Sequence, residues 1–460
     1  MIIMKFGGTS VEDAKAMRNV AEIVERYLQR NPVVVASACA GVTNALLGLA
    51  RGALDAGKVR SLDLVEQLRQ RHLQIARDLV GGDALVTIQS QIDAMMDELR
   101  DLVKSIAILG ELTDRSLDTF ASFGEKLSTL LLCNALKQKG MNAVLVNAQE
   151  VMITNADFTH AVPLFDEIDR RAPRIIGELV RTGHVVVTQG FLGATLAGVS
   201  TTIGRGGSDY SAAIFGAALN VEEIQIWTDV DGMMTSDPSK IKGAQLIKEM
   251  TFREAAELAY FGAKVLHPST MIPAVQKNIP VRILNSRRPF VEGTVIVREP
   301  RYPDPRVVKS IASKGGITLI NIISTRMLMM HGFLAKVFEI FARHEKSVDV
   351  LATSEVSLSL TVDSDGDFDS LLEELRTIAE VEISHDKAIF CVVGETLKRS
   401  KGVVTKVFST LEEHDISVGM ISLGASEINV TFVVDAKDIQ RTAEALHVAF
   451  FGQAQEAPVV

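Results

Sequence analysis

The chain is poor in every residue type that marks a cross-linked or metal-built protein. Its three cysteines, Cys39, Cys133 and Cys391, form no C-x-x-C pair. Neither a disulfide framework nor a zinc site is therefore expected, and each cysteine reads as small apolar filler in a reducing compartment. Nine histidines show no metal-ligand spacing. No apolar run reaches about 18 residues, which argues against a membrane-spanning helix. The first residues also lack the charged and apolar regions of a signal peptide, so a soluble, cytoplasmic protein is expected. Positive charge is in deficit, and the formal net charge of −9 argues against nucleic acid or an anionic membrane as partner. Aromatics are scarce while 47% of residues are hydrophobic, the balance of an aliphatic α/β protein rather than a disordered chain. The two common phosphate motifs, G-x-x-x-x-G-K-[ST] and G-x-G-x-x-G, are missing as well.

What is present starts at the first residue. Met1-Ile2-Ile3-Met4-Lys5-Phe6-Gly7-Gly8-Thr9-Ser10 reads as a short buried strand carrying a Lys, then two glycines, then a helix. Ser10 with Asp13 three residues later resembles a capping box and predicts the helix start. Glycines let backbone approach a phosphate, a helix N-terminus points N–H groups at it, and Lys5 adds a full charge. Taken alone, the segment is equally explained as a strand–turn–helix junction with a solvated Lys.

At 460 residues the chain should hold two or three domains. Apolar runs at Met1–Phe6, Pro32–Ala36, Ala143–Asn147, His184–Gln189, Glu223–Thr228 and Val281–Leu284 predict buried parallel strands, with helical periodicity between them. The expectation is an open α/β sheet covered on both faces, with ligands beyond the carboxyl ends of its strands. A helical stretch, Ser61–Lys139, interrupts the alternation and predicts a helical subregion beside the site. Residues 286–306, rich in Pro and Arg, read as a connection. Beyond it lies an internal repeat. Gly332, Lys336, Val337, Phe338, His344, Ser347 and Val348 recur 70 residues later, from Gly402 to Val418. The offset reaches 72 at Ser354-Glu355 and Ser426-Glu427, which places an insertion near Leu423-Gly424. Each unit reads as a ferredoxin-like βαββαβ plan.

The opening Lys-Phe-Gly-Gly-Thr-Ser resembles the N-terminal signature of the aspartate kinases within the amino-acid kinase family. The similarity continues, in the family's order, at Ser37–Asn44, Gly124-Glu125-Lys126-Leu127-Ser128, Gly204–Asp209, Thr228–Gly232 and Phe261–Pro268. The repeat resembles a tandem of ACT domains. The resemblance implies an amino-acid kinase catalytic domain over 1–290, a linker over 291–306, a first ACT domain over 315–385 inserted in a second one made of 307–314 plus 386–460, and a homodimer or dimer of dimers through the ACT domains. It implies transfer of the γ-phosphoryl of ATP to the β-carboxylate of L-aspartate, the first step of lysine, threonine and methionine biosynthesis, with Mg²⁺ carried on ATP and no protein metal site. No protein base is needed, since a carboxylate is already ionised.

Residue roles follow from the same resemblance. Lys5, Asp209 and Lys264 are the expected catalytic residues. Thr43, Glu125, Arg205, Ser208 and Asp209 are expected to bind substrate, Arg205 through its planar fork. The nucleotide is expected at Lys5, Gly7, Gly8, Ser10, Ser37, Thr228, Asp229, Met234, Lys240 and Lys264. Met234 and Ser239 stand where many relatives have Tyr and Arg, and Lys240 is expected to take over the basic role. The first repeat has Ser347-Val348-Asp349 where the second has Ser417-Val418-Gly419. Asp349 can accept from an effector ammonium and Gly419 cannot. An L-lysine effector site is expected at Met327, Gly332, Phe333, Leu334, Ser347, Val348, Asp349, Thr353, Ser354 and Glu355, with threonine the alternative effector. Rival functions are another amino-acid kinase, acting on glutamate, acetylglutamate or UMP, and a catalytically silent sensor. A fusion with homoserine dehydrogenase is excluded by length and by the missing dinucleotide motif.

Overall fold

The computed structural model describes residues 1–54, 58–261, 268–300, 306–324, 331–366, 368–395, 397, 399–423 and 427–452. The chain divides into two compact units: Met1–Gly232 with Lys248–Met250 and Val265–Glu299, and Met233–Ile247 with Thr251–Lys264 and Pro300–Val460. Residues 233–247 and 251–264, which the sequence reading assigns to the first domain, group with the second unit. No helix among the described residues is long and apolar enough to cross a membrane.

In the first unit, six strands lie parallel in the order Ala143–Val146, Val185–Gln189, Pro32–Ala36, Ile2–Phe6, Glu223–Thr228 and Val281–Asn285. Thr294–Val297 follows antiparallel, and Glu249–Thr251 ends the sheet. All five residues of Ile2–Phe6 are buried, as the continuous apolar run requires of a strand covered on both faces. Parallel pairing gathers the carboxyl ends, Phe6, Ala36, Gln189, Thr228 and Asn285, along one edge. At the centre Phe6 stacks on Trp227, with ring centroids 5.9 Å apart. Trp227 shares a face with Gln225 and Glu223, because side chains two apart on a strand point the same way. Trp227 Nε1 donates to Gln225 Oε1 at 3.0 Å, and Gln225 Nε2 donates to Glu223 Oε1 at 2.7 Å. The buried amide is thus engaged at both its oxygen and its nitrogen, as burial of polar groups demands.

The expected helical stretch is three helices, Lys58–Leu79, Gly82–Leu109 and Asp114–Gln138. One local expectation is corrected. Ser10 does not cap the first long helix; Gly8–Ser10 form a single 3₁₀ turn, and Asp13 caps Ala14–Arg26 by accepting from the Ala16 N–H at 2.8 Å. The Ser10 hydroxyl instead donates to Ser286 Oγ at 2.7 Å.

In the second unit a six-stranded antiparallel sheet runs Leu351–Thr353, Ser357–Asp363, Ser310–Ile323, Glu380–Val393, Asn429–Asp435, Met420–Ser422. The repeat is visible in its helices. Phe333–Arg343 and Val403–Glu413 have equal length, begin after Gly332 and Gly402 in the left-handed conformation, and end at His344 and His414. The two long central strands pair along their length, with the register shifting between Lys314 and Leu319, where Gly316 has φ +70°.

Within this unit Lys309, buried, pairs with the fully buried Glu254 at 3.0 Å. The same carboxylate closes the capping box of helix Phe252–Tyr260, accepting from the Thr251 N–H at 2.8 Å. Lys309→Ala would strand that carboxylate and is expected to cost about 3–5 kcal/mol, read by denaturant unfolding; a loss under about 1 kcal/mol would show the pair to be dispensable.

Candidate active site

The carboxyl ends of the first unit's central strands open on a cavity of about 860 Å³. Its floor is Lys5, the one charged residue of the first strand. Lys5 Nζ lies 2.6 Å from Asp209 Oδ1, and both side chains are largely buried. Asp209 is delivered by helix Gly207–Ala218, which starts directly after Gly206 in the left-handed conformation. Gly8 lines the same floor, and a Cβ there would meet the Ala38 carbonyl oxygen at 2.9 Å, so the turn requires glycine.

Helix Asp114–Gln138 supplies another wall. Asp114, Asp118, Ala121 and Glu125 recur at helical spacing, and all line the cavity. Glu125 Oε1 accepts from the Ala38 N–H at 3.1 Å, whereas Oε2 is buried without a partner. Burial pushes the Glu125 carboxyl up to about 8, against the pull of its backbone hydrogen bonds, so it holds a proton at neutral pH. Burial also raises Asp118, opposed by hydrogen bonds from the Thr202 hydroxyl and from the backbone of Thr159 and Thr202. Cys39, also in the wall, is pushed up to about 12 by burial and stays an unreactive thiol.

Of the residues expected from sequence, Lys5, Gly8, Ser37, Thr43, Glu125, Arg205, Ser208 and Asp209 are brought together around this one cavity. Arg205 is exposed. Gly7 stands beside them: its N–H donates to the Trp227 carbonyl at 3.1 Å, and a Cβ on it would lie 3.7 Å from Lys5 Nζ. Ser10 is turned away to Ser286, whose hydroxyl in turn donates to the Thr228 carbonyl at 3.1 Å. Thr228 ends its strand, followed by the exposed Asp229. Met234 and Lys240 belong to the second unit, where Lys240 Nζ lies 3.6 Å from Asp237 Oδ2 and 3.3 Å from Ser313 Oγ. Lys264 and Met327 lie outside the described residues.

Sequence reading missed Asp118, Phe191 and His160, all lining the cavity. Asp118 was available as the residue two helical turns before Glu125 on the same face. Phe191 carried no local signal: it adopts φ +65°, and its ring packs where a Cβ on Gly207 would sit.

The remaining expected residues lie in the second unit. Gly332 precedes the helix whose Phe333 is buried and Leu334 exposed. Ser347 is exposed and Val348 half-buried on the segment leading to Asp349, and Thr353, Ser354 and Glu355 are exposed. Asp349 is occupied: Lys314 Nζ lies 3.2 Å from its carboxylate, and the Tyr260 hydroxyl donates to it at 3.0 Å.

The chain matches the Amino acid kinase family over residues 1–285 and an ACT domain over residues 390–450. It is 41% identical to aspartokinase 3, chloroplastic, of Arabidopsis thaliana, across 98% of this chain and 81% of that one. It is 37% identical to lysine-sensitive aspartokinase 3 of Escherichia coli, across 98% and 99%. Among solved structures it is similar to E. coli aspartokinase III in complex with aspartate and ADP, with a TM-score of 0.82 at 37% identity over 98% of this chain and 100% of that one. The T-state of that enzyme with lysine and aspartate gives 0.83 at the same identity, over 98% and 99%. With a near-complete match in sequence and fold, and a cavity built around the Lys5–Asp209 pair, the chain belongs to the aspartokinase family and its activity is that of an aspartate kinase.

Proposed function

We propose that the cavity binds L-aspartate against MgATP, and that the residues around it divide the work as follows. Arg205 grips a substrate carboxylate, Glu125 and Asp209 receive the ammonium, and Thr43 and Ser208 add neutral hydrogen bonds. Lys5 bridges the phosphates, flanked by Gly7, Gly8 and Ser37, with Thr228 and Asp229 toward the ribose. The β-carboxylate attacks the γ-phosphorus, the bond to the β,γ-bridging oxygen breaks, and 4-phospho-L-aspartate and ADP leave. The observation that carries this reading is the Lys5–Asp209 pair on the cavity floor. The lysine's charge is held in place by Asp209, so it is preorganised for the phosphoryl oxygens. Mg²⁺ enters on ATP, held by phosphate oxygens and water as a hard cation prefers. Among the described residues no cluster of three or more His, Cys, Asp or Glu is gathered as a metal cage, and Asp209 is the acid beside the phosphate lysine.

Lys5→Ala should lower turnover by about a hundredfold or more while the fold is retained. A rate within about threefold of the parent, or full activity of the parent in excess chelator, would overturn these assignments.

Glu125 gives a pH signature. The ligand-free protein holds its proton below about 8, and an ammonium requires the carboxylate, so binding releases a proton. The sign is fixed: affinity for aspartate rises with pH until Glu125 ionises unaided. Aspartate KM should fall between about pH 6.5 and 8.5, by no more than about tenfold per unit, and Glu125→Gln should flatten the profile at a raised KM. A flat profile in the parent would contradict the role.

The C-terminal region takes an effector amino acid, L-lysine before threonine, at the segment around Asp349. Supporting this is the asymmetry between repeats: a carboxylate at Asp349, held by a lysine ammonium in the ligand-free chain, against Gly419 in the second repeat. The domain partition follows the register shift between Lys314 and Leu319, with 315–385 inserted in 307–314 plus 386–460. The strands Leu351–Thr353 and Met420–Ser422 end the sheet, with the Ser422 hydroxyl donating to the Leu351 carbonyl at 3.0 Å, and pairing of a second copy through these repeats is what light scattering would detect. Asp349→Ala should abolish lysine inhibition and spare basal activity, removing a coupling of about 1–3 kcal/mol. Gly419→Ala, whose Cβ would meet nothing closer than 3.5 Å, should change it much less. A parent rate unmoved by millimolar lysine would end the effector assignment.

A further inference from the structure

Asp118 lies in the wall of the substrate cavity, yet its carboxylate is spent on the protein. It is 1% exposed, and three donors converge on it. Oδ2 accepts the Thr159 N–H at 2.9 Å and the Thr202 N–H at 3.0 Å, and Oδ1 accepts the Thr202 hydroxyl at 2.6 Å. A carboxylate offers about four acceptor positions, so little capacity remains for a substrate ammonium. Hydrogen bonds to an ionised acceptor are also the strong ones, and these join residues 41 and 84 positions away.

What the donors share is the loop they flank. Thr202 ends the strand Ser200–Thr202, two residues before Gly204-Arg205. Thr159 adopts φ +70°, a conformation that β-branched residues rarely enter and that surrounding contacts must enforce. The Ala161 N–H donates to the Thr202 carbonyl at 2.9 Å, locking the two segments together. His160 then sits against Gly204, whose added Cβ would lie 3.4 Å from the ring, and both line the cavity beside Arg205.

We propose that Asp118 is a positioning residue for substrate binding: by tying Thr159 and Thr202 to the long cavity helix, it fixes the Gly204–Gly207 loop so that Arg205 is presented to the carboxylate of aspartate. The proposal rests on the reading of Arg205 given above. Arg205 is itself exposed, and among the described residues no side-chain partner is seen to hold it, so its aim depends on the backbone that carries it.

The test is steady-state kinetics of the full-length enzyme in both substrates, for Asp118→Ala, Asp118→Asn, Thr202→Val and Arg205→Lys. Asp118→Ala should raise aspartate KM about tenfold or more, with ATP KM and kcat at saturating aspartate each within about threefold of the parent. Asp118→Asn, which keeps one carbonyl acceptor, and Thr202→Val, which removes only the hydroxyl donor and is the milder change to the fold, should fall between. In the Arg205→Lys background Asp118→Ala should add little, since both act on one contact. An unchanged aspartate KM in Asp118→Ala and Thr202→Val, an equal rise in both KM values, or a loss of kcat alone would overturn the proposal. Arg205→Lys separates the two readings. If it moves aspartate KM alone while the Asp118 and Thr202 variants do not, the brace fails and the Arg205 reading stands. If it moves both KM values equally, the Arg205 reading fails and the brace loses its target.

Discussion

One ion pair organises the catalytic unit. Lys5 interrupts an apolar strand that is buried on both faces, and an unpartnered ammonium there would carry the full desolvation cost of a charge in a protein interior. Asp209 offsets that cost at 2.6 Å, and the geometry that allows it is set by backbone. The strand at the sheet's centre fixes one partner; the helix that begins after left-handed Gly206 fixes the other. The pair does not have to be stabilising on balance, since burying two charges consumes most of what their attraction returns. What it secures is a positive group held in one place inside a chain of net charge −9, whose overall field repels both anionic substrates.

Around this pair the cavity is assembled from elements far apart in sequence, and that explains which parts of it were legible. Strands such as Pro32–Ala36 and Glu223–Thr228 were delimited to the residue, because a parallel strand buried on both faces is written as an uninterrupted apolar run. The ferredoxin-like repeat was legible from the recurrence of Gly332 and Gly402, since each marks a left-handed helix start that few other residues tolerate. Polar wiring was not legible. Ser10 looked like a helix cap because Asp13 follows at the right spacing; the cap is Asp13 itself, and Ser10 is claimed by Ser286, 276 residues away. Local spacing cannot announce a partner at that distance. Helical spacing places Asp118 on the cavity face but not its role, which is defined by donors from Thr159 and Thr202, 41 and 84 residues away; Phe191 is marked by a positive φ in a residue type that usually avoids it.

The two C-terminal repeats show how a duplicated scaffold acquires a difference that matters. Two Lys–Asp pairs join neighbouring strands of this sheet, Lys314 with Asp363 and Lys387 with Asp435. Lys387 lies directly opposite Asp435, whereas Asp363 lies opposite Ile317 and Lys314 reaches it across the register shift; both pairs are worth little individually because they are partly solvated. Only the first repeat adds a second carboxylate. Asp349 joins Lys314 and takes the Tyr260 hydroxyl as well, and burial with the neighbouring Asp349 carboxylate pushes that phenol well above its ordinary range. At the matching place the second repeat has Gly419, with no side chain to compete for Lys387. The backbone is otherwise alike: the Asp349 N–H donates to the Thr361 carbonyl at 2.9 Å and the Gly419 N–H to the Val433 carbonyl at 2.8 Å. The two units therefore differ at this point in charge rather than in path. On the effector reading proposed above, an ammonium arriving at Asp349 would have to displace Lys314, so binding would be an exchange of one cation for another instead of the filling of a bare anionic site. Such an exchange would keep the carboxylate compensated with and without effector and leave Lys314 to Asp363 alone, the kind of differential contact that any ligand-driven shift between states requires.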